Sequence, residues 1–390
     1  MRVLIIRFSS FGDIFQALEA AKHLFQSKQT TYVDWLVRSD FAPLLQHQGY
    51  VRAVHSFDRK SSVFDLVRKS WTLADSYDHV YDAHSNLRSF IVCITIRTKW
   101  FLITIRTKWF LITIRTKWFP RSLLGRKHGN TKYSLITRSK ERVRRFLFFK
   151  FSFFKHRHPV LPFPYRGAES FVTPLKRWLP ELKPSYSDVS WRHDAAVLSQ
   201  YPEFERWLSG GTSKPSQGHL IALAPSAAWP NKRWPVERWR ELVSLWLKES
   251  PHSRFLLLGG PDDRFLDEIE REFGSECVFN AVGKTSLLAS ASLLAHTSAL
   301  VANDTGLLHV ADRLQLPSVV IVGPTAFGYP VAPVSYVAEV QQSDLRAKDL
   351  LCKPCSKDGR DRCTNSVALK CLLEIDARHI IGQLKKALSL

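Results

Sequence analysis

Short apolar runs, each closed by glycine, aspartate or proline, recur along the chain and set its expected architecture. Val3-Leu4-Ile5-Ile6 is rich in branched side chains and shows no polar alternation, which predicts a parallel strand buried on both faces. Ser9-Ser10-Phe11-Gly12-Asp13 follows as a turn, and residues 14–25 have helical spacing. Residues 32–37 predict a second strand, 42–48 a helix, and 51–54 and 80–83 two further strands. The second half repeats this grammar. Residues 220–224 predict a strand that runs into 225–235, with a helix over 236–248. The strand 255–258 is closed by Gly259-Gly260-Pro261-Asp262-Asp263. A strand at 298–302 ends in Asn303-Asp304-Thr305-Gly306, a helix follows from about 307 to 314, and 318–322 is one more strand. Strand–helix alternation of this kind predicts an α/β protein with doubly wound parallel sheets. A Pro- and Ser-containing stretch at 198–218 reads as a linker between a domain over 1–197 and another over 219–390. Two such domains imply a cleft, with ligands outside the carboxyl ends of the strands.

One internal repeat interrupts the pattern. Residues 102–110 and 111–119 both read LITIRTKWF, and 94–101 is the same unit without its leucine. Nine residues span about 4.5 strand periods or about 2.5 helical turns, so successive copies face opposite ways in either structure. No Gly, Pro, Asn or Asp turns the chain between copies, which argues against a stacked solenoid or hairpin array. The expectation is a tandem duplication inside an ordinary loop or helix.

A length of 390 residues suits two domains, and 45% hydrophobic with 23% charged residues excludes wholesale disorder. No apolar run reaches the roughly 18 residues of a transmembrane helix. The first residues, MRVLIIRFSSFGD, lack the cleavage site of a secretory signal. A cytoplasmic, reducing location is therefore expected, and with it no disulfide framework from the six cysteines. Charge narrows the picture further. The chain carries 56 Lys and Arg against 35 Asp and Glu. Residues 88–157 alone hold 19 Lys and Arg and one acid, Glu141, so this block has +18 of the total of +21. One basic block in an otherwise nearly neutral chain points to a local surface for phosphates, acidic sugars or an anionic membrane.

Four strand ends carry candidate chemistry. At Ser9–Asp13, Gly12 permits close approach of a ligand, and Asp13 stands at a helix start, either facing the cleft or serving the helix dipole. In the loop holding Ser226, the Lys232 ammonium is placed to meet a diphosphate. Asp262, just past a strand, suits ribose hydroxyls or a helix N-cap equally. The run 303–311 is the most informative, because the N–H groups of Thr305, Gly306 and Leu307 would open a helix as an anion site, with Asp304 and His309 beside it.

Taken in order, Ser9-Ser10-Phe11-Gly12-Asp13-Ile14, Trp229-Pro230-Asn231-Lys232-Arg233-Trp234-Pro235 and Asp304-Thr305-Gly306-Leu307-Leu308-His309-Val310-Ala311 resemble glycosyltransferase family nine, the lipopolysaccharide heptosyltransferases. The resemblance covers roughly 1–90 and 215–385. It implies a GT-B fold of two Rossmann-like domains facing a central cleft. It also implies an ADP-heptose donor held mainly by the C-terminal domain and a lipopolysaccharide inner-core acceptor held mainly by the N-terminal one. Asp13 would then be the general base and Lys232 the group that stabilises the departing diphosphate. Ser226, Asp262, Asp304, Thr305, Gly306 and His309 would bind the donor, with Asp262 at the ribose and Asp304 at the heptose. Gly12, Arg59 and Lys60 would meet the acceptor. The implied chemistry is one inverting displacement with no cofactor and no obligatory metal.

The chain departs from the family pattern in places. Ala17-Leu18-Glu19 stands where relatives often have Thr-Leu-Pro, and Ala227-Ala228 where some place hydroxyl residues. These departures leave open a related glycosyltransferase with another nucleotide-sugar or acceptor. A non-catalytic protein that binds anionic membrane or nucleic acid through the basic block is the alternative from another class. No recognised nucleic-acid-binding motif occurs, so nucleic acid is not an expected partner. The expected setting is the cytoplasmic face of the inner membrane, with the protein held peripherally. In the tail, Cys352, Cys355, Cys363 and Cys371 have only one spacing typical of zinc, and reduced packing cysteines are expected.

Overall fold

The structure, a computed structural model, describes residues 1–118, 133–138, 167–183, 191, 195–209, 218–325, 340–343, 350, 352–356 and 358–390. It divides into two compact units. One comprises residues 1–9, 20–140 and 171–182, the other 10–19, 141–170 and 183–390. Each unit is built on one sheet in which the strand pairs are all parallel.

In the first unit, β1 (Arg2–Ile6), β2 (Tyr32–Arg38), β3 (Ala53–Phe57), β4 (His79–Asp82) and β5 (Ser134–Thr137) lie in the order β3-β2-β1-β4-β5. Val3 to Ile6 have no solvent exposure, as an apolar run in a central strand requires. A carboxylate interrupts this core. Asp34 on β2 is fully buried and accepts hydrogen bonds from Arg52 Nε at 3.0 Å, the Ala53 amide at 3.0 Å and the Tyr77 hydroxyl at 2.6 Å. The bonds from these groups and the nearby His55 and Arg52 hold its pKa far below the usual carboxylate range, overriding the opposing effect of burial. The sequence places the third strand at 51–54, two residues early. Val51 is instead buried ahead of the strand, and pairing starts where Ala53 meets Asp34.

The helices that matter most here are α1 (Phe11–Gln26), α2 (Val63–Leu73) and α3 (Leu87–Trp118). Ser62 caps α2 in a reciprocal box with Asp65. The repeat lies within α3, so the duplicated unit is helical up to residue 118. The copy at 94–101 joins the core of the first unit. Val92, Cys93, Ile96 and Trp100 are buried together with residues of β1, β4 and α2. Trp100 donates to the Ala74 carbonyl at 2.9 Å and stacks on Tyr133 with ring centroids 5.0 Å apart. Residues nine apart stand half a turn apart round a helix, so the next copy faces the opposite way. Most of the basic block beyond residue 118 lies outside the described residues, apart from 133–138.

The second unit holds β6 (Leu220–Ala224), β7 (Arg254–Leu257), β8 (Val278–Asn280), β9 (Ala299–Asn303), β10 (Ser318–Ile321) and β11 (Val340–Ser343) in the order β11-β10-β9-β6-β7-β8. Its core is tryptophan-rich. Trp239 and Trp246 of α4 (Val236–Glu249) pack with Trp234, and the Trp234 and Trp239 rings meet edge to face at 5.2 Å. Two of these indoles satisfy their polar tips, Trp234 Nε1 donating to the Ile375 carbonyl at 3.1 Å and Trp246 Nε1 to Ser253 Oγ at 2.9 Å, whereas Trp239 Nε1 is buried without a hydrogen-bond partner among the described residues. Two more helices complete the frame, α5 (Gly306–Leu314) after β9 and α6 (Ala377–Ala387), which Asp376 caps. The two strand orders place a topological switch between β1 and β4 and another between β6 and β9, where Rossmann-like sheets open to ligands.

Candidate functional site

The loops at the β6/β9 switch carry most of the candidate residues. Asn303, the last residue of β9, is fully buried, and its side chain ties two loops together. Its amide nitrogen donates to the Pro225 carbonyl, and its oxygen accepts from the Trp234 amide at 3.2 Å. This clamps the ends of the 225–234 loop. Within that loop Ser226 is half-buried, Arg233 Nε donates to the Ala227 carbonyl at 2.9 Å, and Lys232 ends a short 3₁₀ turn at Pro230–Lys232. The Lys232 ammonium pairs with the buried Asp304 carboxylate at 2.5 Å, and Thr325 Oγ1 reaches the same carboxylate at 3.4 Å. A positive charge held by one carboxylate beside a helix start is a site at which an incoming phosphate can displace or share the pairing.

The tail braces this lysine from behind. Gly359 has a φ of +85°, and a Cβ there would meet Lys232 Cγ, so only glycine fits. Asn231 donates to the Asp361 carbonyl at 2.7 Å, and the Arg360 guanidinium lies 4.8 Å from the Trp229 ring centroid. Cys352, Cys355, Cys363 and Cys371 line one small cavity with Lys353. All are free thiols, and among the described residues no group of three His, Cys, Asp or Glu is arranged to hold a metal ion.

Helix α5 starts where the sequence predicts an anion site. Thr305 occupies the extended position before the helix and makes no side-chain cap bond, so its hydroxyl satisfies none of the first-turn N–H groups. The start of α1 packs against this turn. A Cβ on Gly306 would meet Phe11 Cδ1 at 2.6 Å, and one on Gly12 would meet His309 Cδ2 at 2.6 Å. The two glycines therefore let two helix N-termini touch. Asp13, at the first turn of α1, accepts from Ser10 Oγ at 2.8 Å. His309 lies within electrostatic reach of both Asp13 and Asp304. Burial pushes the His309 pKa down, so the ring is neutral near pH 7 and offers hydrogen bonds rather than charge to a phosphate.

Several participants escaped the sequence reading. Gln16 reaches the His309 ring, with its amide nitrogen 2.9 Å from Nε2. Glu19 is fully buried and paired with Arg313 of α5, which gives the unusual Ala17-Leu18-Glu19 a partner. Asp262 is exposed, whereas its neighbour Asp263 is buried, accepts from the Gly260 amide at 2.8 Å and pairs with Arg233 at 3.2 Å. At the other switch, Asp82 ends β4 and accepts from the His84 and Ser85 amides at 3.0 and 2.7 Å, while burial raises its pKa. Arg7 and Arg138 flank the Phe171 ring there, at 5.4 and 3.4 Å from its centroid. Arg59 and Lys60 are exposed just after β3. Thus Gly12, Asp13, Lys232, Asp304, Thr305, Gly306 and His309 fall in one unit around two helix starts, and Asp262 stands apart from their bonds.

The chain is similar to known glycosyltransferases in sequence and in fold. The family model described as glycosyltransferase family 9 (heptosyltransferase) matches residues 179–359. Lipooligosaccharide heptosyltransferase 2 of Haemophilus influenzae is 27% identical over 184 residues, 45% of this chain and 50% of that protein. Lipopolysaccharide heptosyltransferase 2 of Salmonella typhimurium is 33% identical over 134 residues, 33% of this chain and 37% of that protein. The matched sequence thus spans half or less of these curated relatives. Among solved structures, Escherichia coli ADP-heptose lipopolysaccharide heptosyltransferase II superposes with a TM-score of 0.64 at 18% identity, covering 100% of this chain and 99% of that one. A family 9 glycosyl transferase from Veillonella parvula gives 0.68 at 18% identity, covering 100% and 97%. These likenesses show a common fold of two Rossmann-like domains, the α/β class that the strand pattern and the resemblance imply. Over residues 179–359, which hold the Lys232 loop and the start of α5, the chain is similar to glycosyltransferase family 9.

Proposed function

We propose that the protein is an inverting glycosyltransferase that moves heptose from ADP-heptose to the inner core of lipopolysaccharide. The observation that carries this reading is the meeting of two helix N-termini, one bearing Asp13 and the other following Asp304, made possible by Gly12 and Gly306. Asp13 removes the proton from the acceptor hydroxyl as that oxygen attacks the anomeric carbon. The bond from that carbon to the donor phosphate breaks, and ADP departs with the electron pair. Lys232 and the α5 N–H groups stabilise the charge that grows on the diphosphate. Asp304, released from Lys232 by the incoming phosphate, is free to accept from heptose hydroxyls. The neutral His309, seated by Gln16, keeps the helix starts in contact. An anionic acceptor also gives the exposed Arg59 and Lys60 a partner, and the basic block a reason to dock peripherally at the cytoplasmic membrane face.

Heptose transfer from ADP-heptose to an inner-core precursor tests the reading directly. Asp13→Ala should lower turnover by about 10²–10⁴-fold while ADP binding, measured by calorimetry, is retained. Transfer that survives this substitution would remove Asp13 from the mechanism. Wild-type protein that binds ADP-heptose without transferring it would point to another acceptor, and failure to bind would end the proposal.

A further inference from the structure

Over residues 87–104, helix α3 is apolar on two opposite faces, and among the described residues only one of them is covered. Val92, Cys93, Ile96 and Trp100 are buried in the core of the first unit. On the other side Leu87 is 74% exposed, Phe90 56% and Phe101 64%, with Ile94 and Leu102 about half exposed. At about 100° per residue these five fall within an arc of roughly 120°. Arg88 and Arg97, both exposed, lie just beyond its two edges. A water-facing stripe of this kind is a liability for a free surface and a signature of contact.

We infer that this face of α3 lies in the headgroup region of an anionic lipid membrane, with the stripe inserted and the flanking arginines on lipid phosphates. The inference rests on the peripheral docking proposed above and names the surface that performs it. Charge selects the occupant. From Leu87 to Trp118 the helix carries seven Lys and Arg and no acid, namely Arg88, Arg97, Lys99, Arg106, Lys108, Arg115 and Lys117. A second copy of the chain would set like charge against like. A nucleic acid would meet the arginines but leave Leu87, Ile94 and Leu102 in water. An anionic bilayer surface satisfies both sets at once, attracting the cations and taking up the apolar side chains. The helix would lie along the surface, since no helix among the described residues is long and apolar enough to cross a membrane.

The test is co-sedimentation of the full chain with vesicles of mixed phosphatidylcholine and phosphatidylglycerol, beside vesicles of phosphatidylcholine alone. Wild type is compared with Phe90→Gln/Phe101→Gln, whose side chains are outside the core, and circular dichroism melting verifies that the fold is kept. Wild type should bind the mixed vesicles and weaken as salt rises. The variant should bind them at least tenfold more weakly at equal ionic strength. Equal binding by both proteins would overturn insertion of the stripe while leaving electrostatic docking in place. If wild type binds neither vesicle, the docking reading falls and the inference with it. A variant that changes only the sedimentation mass would assign the face to a second copy and overturn the lipid assignment.

Discussion

Helices α3 and α5 are topological counterparts that have been put to different uses. Each is the crossover that follows the strand beyond its sheet's switch point, α3 after β4 and α5 after β9. Helix α5 has nine residues, and the run from Leu308 to Arg313 is buried. Its side chains engage α1 through the Gln16–His309 contact and the Glu19–Arg313 pair. Helix α3 has 32 residues, and only its first turns carry described core contacts. Both crossovers close parallel ladders, because the pairing of β4 with β5 depends on where the chain returns and only weakly on the length of the excursion. The lesson concerns position along the crossover. The few residues at a strand's carboxyl end are fixed by their neighbours, whereas the far end of a long crossover is open to duplication.

The sharpest way to break the comparison is to crowd the start of α5. Gly306→Val places a branched Cβ where Phe11 Cδ1 already stands 2.6 Å away, with the Gly12 amide at 3.3 Å. Overpacking of this kind costs about 1–3 kcal/mol of stability, and a displacement of about 1 Å at the reacting groups costs about a hundredfold in rate. Both a lower melting temperature and at least a hundredfold loss of heptose transfer are expected. Transfer near the wild-type rate would show that the two helix starts need not touch during the reaction.

What the sequence made legible follows the same division. Strand β1 was readable because an unbroken apolar run of four has few other uses, and Asp13 and residues 303–306 were readable because each follows such a run. Asp263 was not, since two adjacent aspartates look alike until Arg233 and the Gly260 amide select the second. Glu19 was opaque for a related reason. Its partner Arg313 is 294 positions away, and an acid within an apolar helix reads locally as exposed. Helix α3 hid its orientation because apolar residues on all sides leave no periodicity by which to choose the covered face. Asp82, Arg7 and Arg138 carried no motif, and their place at the carboxyl ends of β4, β1 and β5 appears only once the strands are ordered.

A second effect, in stability, separates the braced lysine loop from the open helix. Lys353 is buried behind that loop and donates to the Val322 carbonyl at 2.9 Å. Burial pushes its pKa down to about 8, partly offset by the nearby Cys371 and Cys355 thiols. Between pH 8 and the ordinary lysine value of 10.5, the unfolded chain still holds a proton that the folded chain has released. Stability attributable to this group therefore rises with pH across that window, and below it the buried charge is a standing cost. Cys371 acts in the opposite sense, because burial pushes its thiol up to about 11 and the folded chain keeps a proton that the unfolded chain loses above pH 9. Comparing wild type with Lys353→Met by chemical denaturation at pH 8 and pH 10.5 separates the two. Wild type should gain on the variant by up to about 3 kcal/mol over this range. Parallel pH profiles would show that the ammonium is already solvated in the folded chain.

The smallest expected effect lies at the far end of α3. Residues 102–119 contain two whole copies of the repeated unit, and their removal takes out 18 residues, or about five helical turns. The chain then leaves the shortened helix at nearly the same azimuth, and Val92, Cys93, Ile96 and Trp100 keep their places in the core. Heptose transfer and melting temperature should stay close to those of the full chain, with a stability change of less than about 1 kcal/mol. Removing a single copy is the informative control, because nine residues are about 2.5 turns and the exit rotates to the opposite side. That deletion should lower stability more than the longer one does. The longer deletion also removes Arg106, Lys108, Arg115 and Lys117, so binding to anionic vesicles should weaken even as catalysis in solution is unchanged. Loss of transfer in solution on removing both copies would show that the duplicated segment supports the reaction itself and is not confined to membrane contact.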